Sequence, residues 1–410
     1  MDIMPALELP FFVNILILLV VARVFGEIME RFNQPAMIGE ILAGVVLGPT
    51  LLNFIHRTED IKVISELGVF LLVILAGLEI NLDDVLKSLR GKNIIISLSA
   101  FFLPIISGFA VGKLFNQDVM TTVFIGLCVA ITALPVSIRI LMDLGKLNSP
   151  LGQKIVSVAI FDDVMALTIL GILLDLKDVE KTFYSITTTT IFTLLKLAFF
   201  LIIVIISYRL IKRFTKEENF IEQQLNKVLG FLKGKESLFA ILFVFILIFA
   251  SLTEAVGLHF IIGSFVAAML INKDLIGEKH LNTVHNTTNS MAMGFLAPIF
   301  FAGIGLEFKF EAISNYGLLL AIVFVSFASK IAGGFIGGKA AGLKTRESFV
   351  LGIGLNARGI MELVIANIAY QAKLINSEIF SMLVIMGLLT TLTTPFLLKR
   401  IFQSIDARNK

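Results

Sequence analysis

The stretch Ser157-Val-Ala-Ile-Phe-Asp-Asp-Val-Met-Ala-Leu-Thr168 places two adjacent carboxylates, Asp162 and Asp163, in the middle of an apolar run. The run covers residues 153–174, about the length that an α-helix needs to cross a bilayer. A carboxylate at that depth costs at least ~2.5 kcal/mol, and such residues commonly bind an ion or a proton. The two acids therefore predict an ion or proton site inside a membrane.

The composition of the whole chain agrees with this interpretation. Hydrophobic residues make up 57% of the 410 positions, and the mean hydropathy is +0.93, whereas soluble domains contain roughly 45–50% apolar residues. The single cysteine, Cys128, excludes an intramolecular disulfide. We expect a polytopic protein whose surroundings are the lipid bilayer, with no nucleic-acid partner and no cofactor.

Apolar runs recur along the chain and predict an all-α membrane protein with 13 transmembrane helices. The runs cover residues 10–29, 34–54, 62–80, 93–114, 119–142, 153–174, 188–208, 237–255, 257–273, 290–306, 315–338, 347–370 and 377–398.

The basic residues orient these spans. Of the 34 lysines and arginines, 23 fall in connections on one side of the membrane, seven on the other and four within spans. Cytoplasmic connections carry the excess of positive charge. We therefore expect a multi-pass protein of the inner or plasma membrane, with its N-terminus outside and its C-terminus in the cytoplasm.

Two pairs of similar short segments indicate an internal repeat. Residues 38–47 resemble residues 262–271, and Gly77-Leu-Glu79 resembles Gly305-Leu-Glu307. Equivalent spans are seven apart, so the second half crosses the membrane in the opposite direction, as in the inverted repeats of secondary transporters. The predicted organisation is a first repeat over 1–187 (spans 1–6), a linker span with a cytoplasmic connection over 188–236, and a second repeat over 237–410 (spans 8–13).

The fifth span of each half carries helix-breaking residues. In the first half, Pro135 lies within residues 130–137 and removes a backbone donor. In the second half, residues 352–359 contain three glycines and a charge, which make a poor continuous helix. Freed carbonyls and half-helix ends can coordinate a cation. We predict crossed discontinuous helices that present Thr132 and Ser137 from one side and Asn356 and Arg358 from the other.

Further charges lie at similar depth. Lys330 is central in the eleventh span and needs a partner, for which a midplane Asp–Lys pair is the favoured interpretation over separate pairings. Side chains of consecutive helical residues diverge by about 100°, so Asp162 and Asp163 can face Lys330 and the broken helices separately. Glu362 follows Arg358 by four residues, a spacing that predicts an i,i+4 contact.

Several of these motifs, taken as a set, resemble the monovalent cation:proton antiporter family, in the bacterial branch that also contains ligand-gated potassium-efflux systems. The resemblance covers nearly the whole chain. It is carried by Gln34-Pro-Ala-Met-Ile-Gly-Glu-Ile-Leu-Ala-Gly-Val-Val-Leu-Gly-Pro49, Leu75-Ala-Gly-Leu-Glu79, Asp162-Asp163, Pro298-Ile-Phe-Phe-Ala-Gly-Ile-Gly-Leu306 and Asn356-Ala-Arg-Gly359.

The resemblance implies a homodimer whose protomers each have a core domain and a dimerisation domain, with elevator-like movement of the core. By position it implies that Asp163 binds the cation and the proton, that Asp162 is the second carboxylate matched with Lys330, and that Thr132 lines the site. A double Asp with this lysine is associated in the family with electrogenic exchange. The supporting residues are Ser137, Asn356, Arg358 and Glu362; many relatives have Arg-Gly-Glu where this chain has Arg358-Gly-Ile-Met-Glu362.

The function expected from the sequence is secondary antiport, not enzymatic catalysis. Cytoplasmic Na⁺, or Li⁺ or K⁺, would exchange for external protons, with Thr132 and Asp163 as ligands of the transported Na⁺. The alternatives are a potassium/proton antiporter of the efflux type, a sodium-coupled organic anion symporter on the same kind of fold, and a channel. An intramembrane aspartyl protease also needs two carboxylates, but adjacent residues on one helix cannot meet face to face.

Four further residues carry less specific expectations. Glu79 and Glu307 fall near opposite membrane faces, where they are interfacial polar residues or flank the ion path. His280 and His285 are expected in a solvated cytoplasmic loop, with a pH-sensing role as the alternative.

Overall fold

The computed structural model describes two long parts of the chain. The first is residues 10–176 without 33, 57, 81–90, 134–136, 138–140, 142–145 and 148; the second is residues 236–406 without 257 and 273–275. Eight residues between 190 and 210 are also described. Pro135, most of the predicted seventh span and nearly all of the predicted connection 209–236 lie outside these residues.

All regular structure within the described residues is helical, which confirms the all-α membrane class. A π-helical turn, Ala292–Leu296, lies between α9 and α10, and a 3₁₀ turn, Phe310–Ala312, follows α10. The α-helices are α1 Phe11–Arg31, α2 Ala36–Leu47, α3 Glu59–Glu79, α4 Asn93–Leu114, α5 Val119–Ala130, α6 Pro150–Asp175, α7 Ser237–Ala255, α8 Phe260–Leu270, α9 Glu278–Met291, α10 Ala297–Glu307, α11 Tyr316–Ala340, α12 Thr345–Gly354, α13 Ile360–Gln371 and α14 Ser377–Asp406.

Eight helical stretches in the described residues are long and apolar enough to cross a membrane. They are α1, α3, α4, α6, α7, the continuous stretch Glu278–Glu307, α11 and the part of α14 up to Ile401. Four shorter apolar helices, α2, α5, α8 and α13, fall within predicted spans. The total of 13 spans and the inverted repeat stay predictions.

Residues 279–286 form part of helix α9, so the prediction of a loop around His280 and His285 is wrong. The segment is mostly polar, which favoured a loop, but it buries a narrow stripe through Val284 and Thr288, four residues apart on one helix face. Both histidines are half-buried, and His280 Nδ1 lies 2.7 Å from the carbonyl oxygen of Ile276.

The chain divides into two compact units, and each contains residues from both predicted halves. One unit comprises Met1–Glu66, Asp84–Ala166 and Pro298–Lys410; the other comprises Leu67–Asp83 and Leu167–Ala297. All the predicted site residues belong to the first unit. Within the second, Phe70 packs its ring against those of Phe243 and Phe260, with centroids 5.6 Å and 6.1 Å away.

Helix α11 is the centre of packing in the first unit because glycines cover two of its faces. A Cβ added at Gly333 would lie 2.7 Å from the carbonyl oxygen of Ser99 in α4. A Cβ added at Gly334 would lie 2.5 Å from the Cα of Gly352 in α12. Real Cβ atoms do not come so close to backbone, so glycine is what allows α11 to touch both neighbours. This packing fixes Lys330, one turn earlier, beside α4.

Candidate functional site

Two helices of the first unit break at the point where the site forms. Helix α5 ends at Ala130, and Ile131 is extended, with φ −69° and ψ 143°. In the second break, α12 ends at Gly354 and α13 begins at Ile360. The two non-helical segments lie side by side, and the amide of Ala133 donates a 2.8 Å hydrogen bond to the carbonyl of Ala357. Both breaks were predicted, although Pro135 itself lies outside the described residues.

The buried ion pair lies next to the first break. Lys330 Nζ is 2.6 Å from Asp162 Oδ2, and both side chains are fully buried. The same ammonium donates to the carbonyl of Ala100 at 3.1 Å and to that of Ala130, the last residue of α5. The Thr132 hydroxyl lies 2.6 Å from the same Asp162 oxygen. The predicted Asp–Lys pair is therefore present, and Asp162 is the acid that forms it.

Arg358, in the second break, binds the C-terminal end of α5 at the first break. The residue is fully buried, and its guanidinium donates to the carbonyls of Cys128 and Val129 and, at 3.5 Å, to that of Ser326. Its own carbonyl accepts a 2.8 Å bond from the Thr391 hydroxyl. The end of a helix carries partial negative charge on its free carbonyls. Two buried cations, Arg358 and Lys330, thus neutralise the C-terminal end of α5.

The predicted contact between Arg358 and Glu362 is wrong. Arg358 precedes the first residue of α13, so the two side chains are not one helical turn apart, and the guanidinium is directed to α5. Both Glu362 carboxylate oxygens are buried without a hydrogen-bond partner among the described residues.

The remaining predicted residues are also buried. The Ser137 hydroxyl lies 3.5 Å from the carbonyl of Gly354, a weak bond. Asn356 is fully buried, and neither polar atom of its side chain has a partner within the described part of the chain. Asp163 is 1% exposed.

The geometry offers oxygen ligands of the kinds that a small monovalent cation uses. The Thr132 hydroxyl lies between Asp162 and the carbonyl of Leu355, which is 2.9 Å away in the second break. Asp162 Oδ1 is buried without a hydrogen-bond partner among the described residues. Unwound backbone carbonyls and carboxylates together can bind either Na⁺ or, at the carboxylate, a proton.

Sequence reasoning missed two kinds of contact. Thr391 lies in an apolar span beside Thr390, and a polar residue in such a span was a signal that could have been used. The sequence gives no indication that the carbonyls of Ala100, Cys128 and Val129 are acceptors, since every residue has a carbonyl. Thr132 was expected at Asp163, but its hydrogen bond is to Asp162.

Comparison with known proteins adds independent information. The Na⁺/H⁺ antiporter of Enterococcus hirae is 30% identical over 398 residues, covering 97% of this chain and 99% of that relative. The Na⁺/H⁺-K⁺ antiporter GerN of Bacillus cereus is 27% identical over 405 residues, covering 98% and 99%. The solved sodium proton antiporter MjNhaP1 of Methanocaldococcus jannaschii, at pH 8, is similar in fold, with a TM-score of 0.67, 95% coverage of each chain and 16% identity.

A family match extends over nearly the same length. Residues 15–403 match the description "Sodium/hydrogen exchanger, transmembrane". That range contains both helix breaks and every predicted site residue. This match agrees with the buried acids, the ion pair and the apolar helices described above. It shows that this chain belongs to the sodium/hydrogen exchanger family.

Proposed function

We propose that this protein is a secondary active antiporter that exchanges a monovalent cation, Na⁺ first and Li⁺ or K⁺ as alternatives, for protons across the membrane. One observation carries the proposal: the buried Asp162–Lys330 pair lies where two helices break, and the equally buried Asp163 follows Asp162 in α6. Relatives named as Na⁺/H⁺ antiporters along the full length of the chain support the same activity.

Competition at a carboxylate is the proposed mechanism. Asp163 binds either the cation or a proton, because one carboxylate oxygen cannot hold both at full strength. Thr132 and the carbonyl of Leu355, joined by a 2.9 Å hydrogen bond, would supply neutral oxygen ligands for the cation. Exposing this site to each side of the membrane in turn makes the exchange obligatory, since only an occupied or protonated site is neutral enough to move.

We further propose that exchange is electrogenic. Release of the 2.6 Å contact with Lys330 during the cycle would let Asp162 accept a proton in its own right. With two acids each releasing a proton for every cation bound, two positive charges cross in one direction and one in the other. A single net charge moves per cycle, so the membrane potential drives transport.

The proposed assembly follows from the same resemblance. The protein would have 13 spans in two inverted repeats, 1–187 and 237–410, joined by residues 188–236. Its N-terminus would lie outside, its C-terminus in the cytoplasm, and the functional unit would be a homodimer in the inner or plasma membrane. The charge distribution of 23 basic residues against seven supports this orientation.

The test is proton-flux dequenching in proteoliposomes, titrated with Na⁺, Li⁺ and K⁺. Asp163→Asn should abolish cation-dependent proton flux while the protein still inserts and purifies. Retained Na⁺-dependent flux in that variant would rule out Asp163 as the exchange site. Asp162→Asn should change the dependence on an imposed potential, measured with a K⁺–valinomycin clamp during Na⁺ titration; an unchanged dependence would contradict its role as the second acid.

Potassium remains the second candidate cation. The name of the Bacillus cereus relative includes K⁺ as well as Na⁺. The flux assay separates the two, because a K⁺-selective antiporter would respond to K⁺ at lower concentration than to Na⁺. When K⁺ is the cation being titrated, valinomycin is omitted from the assay.

A further inference from the structure

Glu362 is a buried acid that takes no part in the ion pair of the core. It lies in the first turn of α13 and is 0% exposed. Neither of its carboxylate oxygens has a hydrogen-bond partner among the described residues. The carboxyl group lies against Gly387 in α14; a Cβ added at that glycine would be 3.3 Å and 3.4 Å from the two oxygens. The acid therefore packs against helix backbone rather than against a donor.

Arg358 is the cation closest to Glu362 along the chain, but the two side chains form no ion pair. The guanidinium donates instead to the carbonyls of Cys128 and Val129 in α5. Lys330 is the other fully buried cation of the described core, and it already belongs to the ion pair at the first break. Within the described residues, Glu362 thus has no ion-pair partner.

The two helices packed most closely against α13, α5 and α14, bring no further charge close to Glu362. Helix α5 contains no charged residue, and its one titratable group is the thiol of Cys128, which is neutral near about pH 7. Helix α14 carries no charge between Glu378 and Lys399, which are nine residues before and twelve residues after Gly387.

The other titratable groups near α13 lie at the far end of the helix. Glu307 of α10 accepts a 2.6 Å hydrogen bond from Gln371. The ring of Tyr370 stacks on that of Phe380, with centroids 4.6 Å apart. Both contacts are eight or nine residues beyond Glu362, which is roughly 12–14 Å along a helix.

These surroundings favour the neutral form of Glu362. A carboxylate that is taken out of water without a partner is strongly destabilised, whereas a protonated acid is a neutral group that can donate its O–H. The positive N-terminal end of α13 and the more distant charge of Arg358 favour the charged form. Because neither makes a hydrogen bond to the carboxylate, the desolvation cost outweighs them.

We propose that Glu362 holds a resident proton, as a neutral carboxylic acid near neutral pH, in addition to the two acids of the proposed exchange site. The proton stays on Glu362 while ions are exchanged at Asp163. A neutral Glu362 does not compete for Arg358, so the guanidinium stays with the C-terminal end of α5. The presence of this proton goes beyond the proposed antiport and does not depend on which cation is transported.

Infrared difference spectroscopy detects such a proton directly. The C=O stretch of a protonated carboxyl group lies at higher frequency than the bands of carboxylates and of the amide backbone. Comparison of the natural protein with Glu362→Gln near neutral pH should show the loss of one such band in the variant. Identical spectra in this region would mean that Glu362 is ionised and would overturn the proposal.

Glu378→Gln is the matched control. Glu378 Oε1 accepts hydrogen bonds from the amide and the hydroxyl of Ser314, at 2.8 Å and 2.7 Å, and from the amide of Asn315 at 3.0 Å. Three donors stabilise the charged form of this acid, so its replacement should leave the protonated-carboxyl band in place. Loss of the same band in Glu378→Gln would overturn the assignment to Glu362.

Isotope labelling of the natural protein keeps the test open if Glu362→Gln does not fold. Incorporation of ¹³C-glutamate should move the protonated-carboxyl band to lower frequency. A spectrum in which no such band moves would overturn the resident proton without the use of any variant.

Thermal unfolding gives a second readout. A solvated glutamic acid ionises above about pH 4.3, so a proton that is held in the folded protein and lost on unfolding makes the fold less stable as pH rises. Glu362→Gln lacks this proton. Its Tm should rise relative to that of the natural protein by about 1–3 °C for each pH unit between about pH 5 and pH 7. A Tm difference that does not change with pH, or that changes in the opposite direction, would overturn the proposal.

The number of protons exchanged per cation distinguishes a resident proton from a transported one, and this part of the test rests on the proposed antiport. Glu362→Gln should exchange as many protons per Na⁺ as the natural protein, whatever its rate. A smaller number would mean that Glu362 delivers a transported proton, and would overturn the resident proton. A natural protein without Na⁺-dependent proton flux would overturn the antiport activity instead, and the infrared and unfolding results would still decide the proton on Glu362.

Discussion

The two helix breaks differ in the groups that satisfy their backbone carbonyls. At the first, the last three residues of α5, Cys128, Val129 and Ala130, give their carbonyls to Arg358 and Lys330. Every one of these donors is a cation. Hydrogen bonds from ionised donors are about twice as strong as neutral ones, so the first break is held firmly.

At the second break the donors are neutral. The carbonyl of Leu355 accepts from the Thr132 hydroxyl, that of Ala357 from the Ala133 amide, and that of Arg358 from the Thr391 hydroxyl. A neutral hydrogen bond contributes only about 1 kcal/mol net. The comparison teaches that the second break is held by neutral donors alone, so under the proposed mechanism its carbonyls would be released to a cation at lower cost than those of the first break.

Loss of the lysine at the first break should have the largest effect. Lys330→Ala leaves the buried Asp162 without its cation, and removing one member of a buried ion pair costs about 3–5 kcal/mol. Thermal unfolding in detergent should show a large fall in Tm. The double substitution Asp162→Asn with Lys330→Ala should recover part of the loss; if it is no more stable than Lys330→Ala alone, the pair does not hold the first break.

Loss of the arginine should come next. Arg358→Ala leaves the carbonyls of Cys128 and Val129 buried without donors, at about 2–4 kcal/mol for the two together. Arg358→Lys keeps the charge but loses the forked geometry, so its Tm should fall between those of the natural protein and Arg358→Ala. A Tm for Arg358→Lys equal to that of Arg358→Ala would mean that charge alone contributes nothing at this break.

A neutral donor at the second break should matter less. Thr132→Val removes the hydroxyl from Asp162 and from the Leu355 carbonyl, at about 1–2 kcal/mol. Thr393→Val is a matched control, because among the described residues the hydroxyl of this half-buried side chain bonds only within its own helix, to the carbonyls of Leu389 at 2.8 Å and Thr390 at 3.3 Å. The control should change Tm little. A loss for Thr132→Val as large as that for Arg358→Ala would remove the distinction between the breaks.

Ser137 should give the smallest effect. Its hydroxyl is 3.5 Å from the carbonyl of Gly354, at the limit of a hydrogen bond. Ser137→Ala should cost less than about 0.5 kcal/mol, and the Tm should stay close to that of the natural protein. A clear destabilisation would show that this weak contact is a real anchor of the second break.

The sequence could predict the parts of the site that rest on rare residues. Charges such as Asp162, Lys330 and Arg358 stand out in apolar runs because burying them is costly. The glycines of residues 352–359 marked the second break for a similar reason, since they disfavour a continuous helix. These features depend on residue type and position alone.

Other parts required three-dimensional information. The spacing of Arg358 and Glu362 suits a contact only if both lie on one helix, and α13 begins after Arg358. Which of Asp162 and Asp163 faces Lys330 depends on the rotation of α6 about its axis, which an apolar run leaves open. The polar composition of the α9 segment predicts a loop, because the buried stripe of this helix is only one side chain wide.

The glycines on two faces of α11 have a mechanical consequence. Gly333 is in backbone contact with α4 and Gly334 with α12, so at these two points there is no side chain that could repack and absorb sliding. We therefore expect the three helices to shift as one rigid body, carrying Lys330 with them. Any cycle of opening and closing has to find its moving boundary elsewhere, along surfaces where flexible side chains separate the backbones.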